Sequence, residues 1–189
     1  MTQLTAPDQQ RLSLTLAGEI HPGMSDWSTP AAAQEFIRSG MEQAGLSVTI
    51  QLADGAYSTA QGFSQFAGNW FGHHNIEIWG NSGSPSAVIL APTSSGDNAL
   101  YVSDKARVIA RYIKFSGHAS SNYIAVEQFG TVGVDTCEFA GCNVAIRASI
   151  NGNFKTNGII TLSGTHAQTF QATDDGMIEI GASAHVVSA

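Results

Sequence analysis

Apolar and polar residues alternate along most of the chain after residue 47. In VTIQLADGAY, residues 48–57, Val48, Ile50 and Leu52 fall on one side of an extended chain, and the run stops at a turn, Ala53-Asp54-Gly55. IEIWGN and LYVSD repeat that strand-and-turn pattern downstream. Overlaying residues 98–117 on 122–141 at an offset of 24 puts Asn98 on Asn122, Leu100 on Ile124, Val102 on Val126, Val108 on Val132, Ile113 on Cys137 and Phe115 on Phe139. Charges follow the same offset with opposite sign, Arg111 over Asp135 and Lys114 over Glu138, the cross-strand pairing that neighbouring strands favour.

Carried backwards, the offset sets Ile76 and Ile78 under Leu100 and Val102, and Ile89 under Ile113, with Ile50 and Leu52 a further 26 residues before Ile76 and Ile78. Carried forwards, Ile160 and Leu162 follow Cys137 and Phe139 by 23, while Val144 and Ile146 follow Ile124 and Val126 by 20, with NGNFKTNG read as an inserted loop. The segment MIEIGASAHVV alternates without a clean register. A period of 20–26 with short strands matches neither leucine-rich nor helical repeats. It predicts a parallel β-helix whose rungs lie about 4.8 Å apart and whose inward residues form stacks such as Ile76–Leu100–Ile124 and Phe115–Phe139.

An open rung exposes unpaired strand edges, and the N-terminal segment supplies a block. Residues 28–45 read as one helix: Ser28 or Thr29 as N-cap, Pro30 at the first helical position, an apolar face of Ala33, Phe36, Ile37, Met41 and Ala44, and Gly45 past the end. Before it, the alternating Leu12, Leu14 and Leu16 mark a strand that pairs with the first rung. The expected organisation is a strand and capping helix over 1–47 followed by solenoid rungs over 48–189, in a single all-β domain.

SLTLAGEIHPGMSDWSTPAAAQEFIRSGMEQAGLSVTIQLADGAY, followed by IEIWGNSGSPSAVIL, resembles the N-terminal part of pectin-lyase-like right-handed parallel β-helix proteins, phage and prophage tail spikes and fibres among them. The specific part of the resemblance covers residues 12–92 and the architectural part extends to about 165. It implies a right-handed coil and a place in a virion, where the partners are further copies, with a homotrimer as the expected form, other virion proteins and host surface polysaccharide. The fold hosts lyases, hydrolases, adhesins and inert structural segments alike, so it does not assign an activity.

Composition narrows the role. Charged residues are 12% of the chain and the net charge is −7, so no basic stripe is available to displace counterions from a nucleic acid. There is no run of eighteen apolar residues to span a membrane, and the first residues lack the pattern of a secretory signal, which fits manufacture in a host cytoplasm and release by lysis. Two cysteines are too few for a disulfide framework.

Candidate chemistry is sparse. Asp135 and Glu138 face cations, Asp104 faces Gln128, Glu127 faces Ser103, Asp174-Asp175 has no acidic counterpart, and Asp54 serves a turn, so no carboxylate pair suited to glycoside cleavage forms. His118, Cys142 and His166 are spaced by 24, which puts the outer two about 9.6 Å apart, too far for one zinc. Cys137 reads as a core residue. Neither a catalytic residue, a cofactor nor a metal is expected. The loop GFSQFAGNWFGHHN, 62–75, concentrates Phe63, Phe66, Trp70, Phe71, His73 and His74; Phe66 points inward, and Phe63, Trp70, Phe71, His73 and His74 are the candidate glycan-binding or subunit-interface residues. The sequence favours a non-enzymatic structural or receptor-facing component of a phage particle, with a polysaccharide depolymerase as the alternative.

Overall fold

The structure is a computed structural model that describes residues 13–15, 47–58, 76–92, 97–117, 120, 122–156, 158–181 and 185–188. The described residues form a β-solenoid of three parallel sheets. The first sheet stacks β1 (Ser13–Thr15), β2 (Ser47–Gln51), β4 (Ile76–Trp79), β7 (Arg107–Arg111), β10 (Thr131–Asp135), β13 (Asn153–Thr156) and β16 (Met177–Ile180) in that order. The second holds β3 (Gly55–Ser58), β5 (Val88–Ala91), β8 (Lys114–Ser116), β11 (Cys137–Ala140), β14 (Ile159–Ser163) and β17 (His185–Ser188). The third holds β6 (Asn98–Val102), β9 (Asn122–Val126), β12 (Val144–Ala148) and β15 (Gln168–Ala172).

The offset of 24 holds in all three sheets: Leu100 pairs with Ile124, Val108 with Val132 and Phe115 with Phe139. Cys137 pairs with Ile160 and Phe139 with Leu162, as the offset of 23 requires. The N-terminal strand also pairs in parallel with the first rung, Ser13 opposite Ser47.

Other parts of the expected register are corrected. Ile76 lies beside Val108, not Leu100, and Ile78 beside Ala110, so the expected Ile76–Leu100–Ile124 stack does not form. Two stacks replace it, Ile76–Val108–Val132–Phe154 and Leu100–Ile124–Ile146–Phe170. The cause is the longer bend between β4 and β5, which contains a 3-10 turn at Pro85–Ala87, where later rungs turn within two residues, Tyr112 and Ile113. Ile89 meets Lys114, not Ile113, and Ile50 meets Ile78, not Ile76. Ile146 aligns with Ile124, and the expected NGNFKTNG loop is strand β13 over Asn153–Thr156, paired with β10 on one side and β16 on the other. Its Phe154 is fully buried, while buried Thr156 donates from Oγ1 to the Val134 carbonyl at 3.0 Å. The capping helix expected over 28–45 lies outside the described residues, as do the candidates Phe63, Phe66, Trp70, Phe71, His73, His74 and His118.

The core is continuous along the coil. In the second sheet Tyr57, Leu90, Phe115, Phe139 and Leu162 form one column, with the Phe115 and Phe139 rings stacked at 4.9 Å and 9°. Tyr123, also buried, lies 6.5 Å from Phe139, and its hydroxyl accepts from Gly117 N–H at 3.0 Å and reaches the Ala140 and Gly141 carbonyls at 2.8 and 2.7 Å. Burial pushes that phenol up to about 12, so it stays protonated and tied to three backbone groups.

The corner between the third and first sheets repeats one turn. Ala106 N–H donates to Ser103, Gly130 to Glu127, Gly152 to Ser149 and Gly176 to Thr173, each at 2.8–3.0 Å. Both central residues have positive φ, including Gln128 and Phe129 at 49° and 63° and Ile150 and Asn151 at 49° and 60°. This is the geometry of a type I′ turn, adopted here with a β-branched residue at a position that favours Asn or Gly. The fourth residue packs under the rung below: a Cβ on Gly152 would run into the Val126 carbonyl.

Candidate functional site

The outward residues of the first sheet form rows running from rung to rung. One row is Gln51, Trp79, Arg111, Asp135, and its neighbour is Thr49, Glu77, Ile109, Gly133, Lys155, Glu179. Alternation dictates this: Ile76 and Ile78 turn into the core, so Glu77 and Trp79 must face out.

Arg111 ties three rungs together. Its guanidinium meets Asp135 Oδ2 at 2.6 Å on one side and Glu77 Oε2 at 3.6 Å on the other, and lies 6.0 Å from the Trp79 ring centroid. Trp79 is fixed from both ends, because its Nε1 donates to Glu77 Oε2 at 2.7 Å and its ring meets Tyr112 edge-on at 6.2 Å and 82°. Although 36% exposed, the indole is therefore a preorganised platform.

Trp79 forms one wall of a cleft of about 590 Å³ lined also by Gln51, Leu52, Ala53, Asp54, Gly80, Asn81 and Ser82. Gln51 Nε2 donates to the Gly80 carbonyl at 3.0 Å, and Asn81 Nδ2 to Asp54 Oδ1 at 2.9 Å. Asn81 Oδ1 accepts from Gly83 and Ser84 N–H at 2.9 and 3.1 Å, which locks the turn. An exposed indole beside a carboxylate and two amides in a concave surface is suited to stack a sugar ring and satisfy its hydroxyls.

Four of the carboxylates weighed for hydrolysis or elimination, Asp135, Glu138, Glu127 and Asp104, are engaged. Asp135 binds Arg111, and the other cross-rung pair read from the sequence also forms, Lys114 Nζ to Glu138 Oε1 at 2.9 Å. Glu127 accepts from Tyr101 at 3.0 Å and from Ser149 at 3.0 Å, and Asp104 Oδ2 accepts from Ser103 at 3.3 Å. Burial, followed by the Glu127 hydrogen bond and charge, raises the Tyr101 phenol above its ordinary value, which disfavours the phenolate a base would need.

At Glu138, burial pushes the carboxyl up, but hydrogen bonds from Lys114 and Ser163 and the Lys114 charge outweigh it, leaving it below the ordinary 4.5. A depressed carboxylate stabilises the fold above its unfolded pKa and loses that contribution as pH falls through the folded value. Urea midpoints measured from pH 7 down to pH 2 should therefore fall below about pH 4.5, and Glu138→Gln should make the acid limb shallower.

Cys142 and His166 sit on adjacent rungs as expected, Sγ to Nδ1 at 3.2 Å, but burial pushes the Cys142 thiol up to about 12, far from a reactive thiolate. Cys137 is 1% exposed in the core, and its thiol is raised by burial to about 12. Among the described residues no group of three or more His, Cys, Asp or Glu gathers to hold a metal ion.

Trp79 is the site residue that sequence reasoning passed over. The signal was present: an aromatic at an outward position of an alternating strand, where a polar residue is expected. Comparison of the chain with family models, curated proteins and solved structures gives no match, so the pectin-lyase-like likeness rests on the residues quoted for it.

Proposed function

We propose that this chain is a rigid, non-catalytic, receptor-facing segment of a phage or prophage particle, and that the Trp79 cleft binds host-surface glycan. The observation that carries the glycan reading is the Trp79 platform, held by Glu77 and Tyr112 beside the polar groups of Asp54, Gln51 and Asn81. The sequence likeness over residues 12–92 supports the virion context and a right-handed coil. In that role the partners are further copies of the chain, three in the expected assembly, and other virion proteins.

A display role needs a stiff body and no reaction, which fits outward acids already bound to cations or hydroxyls. Trp79→Ala should weaken binding on a glycan array about tenfold or more, since aromatic stacking and its burial are lost together. Retained binding would remove this cleft as the receptor site. Release of reducing ends or unsaturated sugar from host capsule, lost on Glu127→Gln or Asp104→Asn, would replace the display reading with a depolymerase.

A further inference from the structure

We propose a second ligand site on the same outer sheet face, in the groove over Gly133, that takes a sugar ring bearing a negatively charged substituent, with Arg107 as the residue that binds the charge. It rests on the reading of this face as glycan-binding, but uses a different cavity from the Trp79 cleft. Outward positions of three successive strands make a grid here. Arg107, Ile109 and Arg111 come from β7, Thr131, Gly133 and Asp135 from β10, and Lys155 from β13 stands beside Gly133. All seven line a cavity of about 270 Å³ whose centre is the residue without a side chain.

Nothing in the fold requires glycine at that centre. Gly133 has no left-handed backbone, and the nearest atoms a Cβ there would meet belong to the Ile109 side chain, at 3.4–3.9 Å, unlike Gly152, where it would strike backbone. A glycine within a strand weakens the strand and commonly marks close approach by a ligand or another backbone. The gap lets a flat ring settle against Ile109 and the bare backbone of β10.

The charges around the gap give the ring a direction. Arg111 is engaged by Asp135 and Glu77, and Lys155 by Glu179 at 2.7 Å. The Arg107 side chain has no ion-pair or hydrogen-bond partner among the described residues, although the chain carries a net charge of −7. A guanidinium presents paired donors that match a carboxylate, sulfate or phosphate. Thr131, at the Arg107 end, and Asp135 lie four residues apart on one strand, about 13 Å at the usual rise. At the far end the Arg111 charge is already spent on Asp135 and Glu77, so the charged substituent points to Arg107 and the hydroxyls point to the Arg111–Asp135 pair.

The test is an amide-resonance titration of the whole chain with cellobiouronic acid and with cellobiose, disaccharides that differ by one carboxylate. The acidic sugar should shift Thr131 and Gly133 saturably. The dissociation constant should rise about tenfold or more in Arg107→Gln, the loss expected for one charge-assisted pair, and saturable shifts should vanish in Gly133→Val. Gly133→Val places a β-branched residue in a strand and should keep the fold; Arg107→Gln decides the matter if it does not. Equal shifts from cellobiose, undiminished binding in Arg107→Gln, or no shift at Thr131 and Gly133 would overturn the proposal. Shifts at Gly80 and Asn81 report the Trp79 cleft separately, so either site can fail without the other.

Discussion

Phe139→Ala should destabilise the chain by about 3–5 kcal/mol, the largest loss expected of any single side chain. Phe139 is fully buried in the middle of the second-sheet column, stacked on Phe115 at 4.9 Å, near Tyr123, and directly below Leu162. Removing the ring opens a cavity lined by residues from three rungs. Those residues are pinned by main-chain pairing on both sides and cannot collapse into the space. In a solenoid each rung is stabilised chiefly by its neighbours, so the damage should stay local at first. Hydrogen exchange should accelerate in β8, β11 and β14 before the rest of the coil. Phe139→Leu, which keeps most of the volume, should cost about 1 kcal/mol. Urea denaturation of the three proteins measures both differences, and a Phe139→Ala loss below about 1 kcal/mol would mean that the ring is not in a packed column.

Gly152→Val should be the second severe change, about 3 kcal/mol or more, by overpacking rather than by a cavity. The added Cβ would be driven into the Val126 carbonyl, at the corner where Gly152 N–H closes the turn on Ser149 and the Gly152 carbonyl accepts from Met177. Relief requires β13 to lift away from β10, which breaks the ladder from Thr131–Asn153 to Val134–Thr156. Gly133→Val, nineteen residues earlier and free of such contact, is the control: its thermal midpoint should stay near that of the parent chain. A matching fall in both variants would show that valine itself, not the corner, is at fault.

The two rungs from Asn98 to Ala140, and the step of 23 on to Ile160 and Leu162, were legible because side-chain character repeats there at nearly constant spacing, and their charge pairs, Arg111–Asp135 and Lys114–Glu138, appear as read. Registers before residue 98 were not, for a physical reason. Every strand of a solenoid has the same inward–outward alternation, so hydrophobicity alone cannot say to which sheet a strand belongs. The extra length around Pro85–Ala87 moved Ile76 from an expected neighbour in the third sheet to Val108 in the first. Asn153–Thr156 was hidden by its composition: Asn, Lys and Thr read as loop, and only the buried Phe154 and Thr156 betray a strand. The Trp79 cleft was partly visible, since IEIW puts Trp79 outward, but its partners Asp54 and Asn81 come from another rung and a bend that periodicity does not align.

Rung-on-rung parallel stacking is the claim from which every site follows, and inter-strand nuclear Overhauser contacts in labelled protein test it most directly. Backbone contacts are expected of Ile124 with both Leu100 and Ile146, and of Val132 with both Val108 and Phe154, all with parallel-strand geometry. Antiparallel contacts between chain neighbours, such as β6 folding back on β7, with none between rungs, would contradict it.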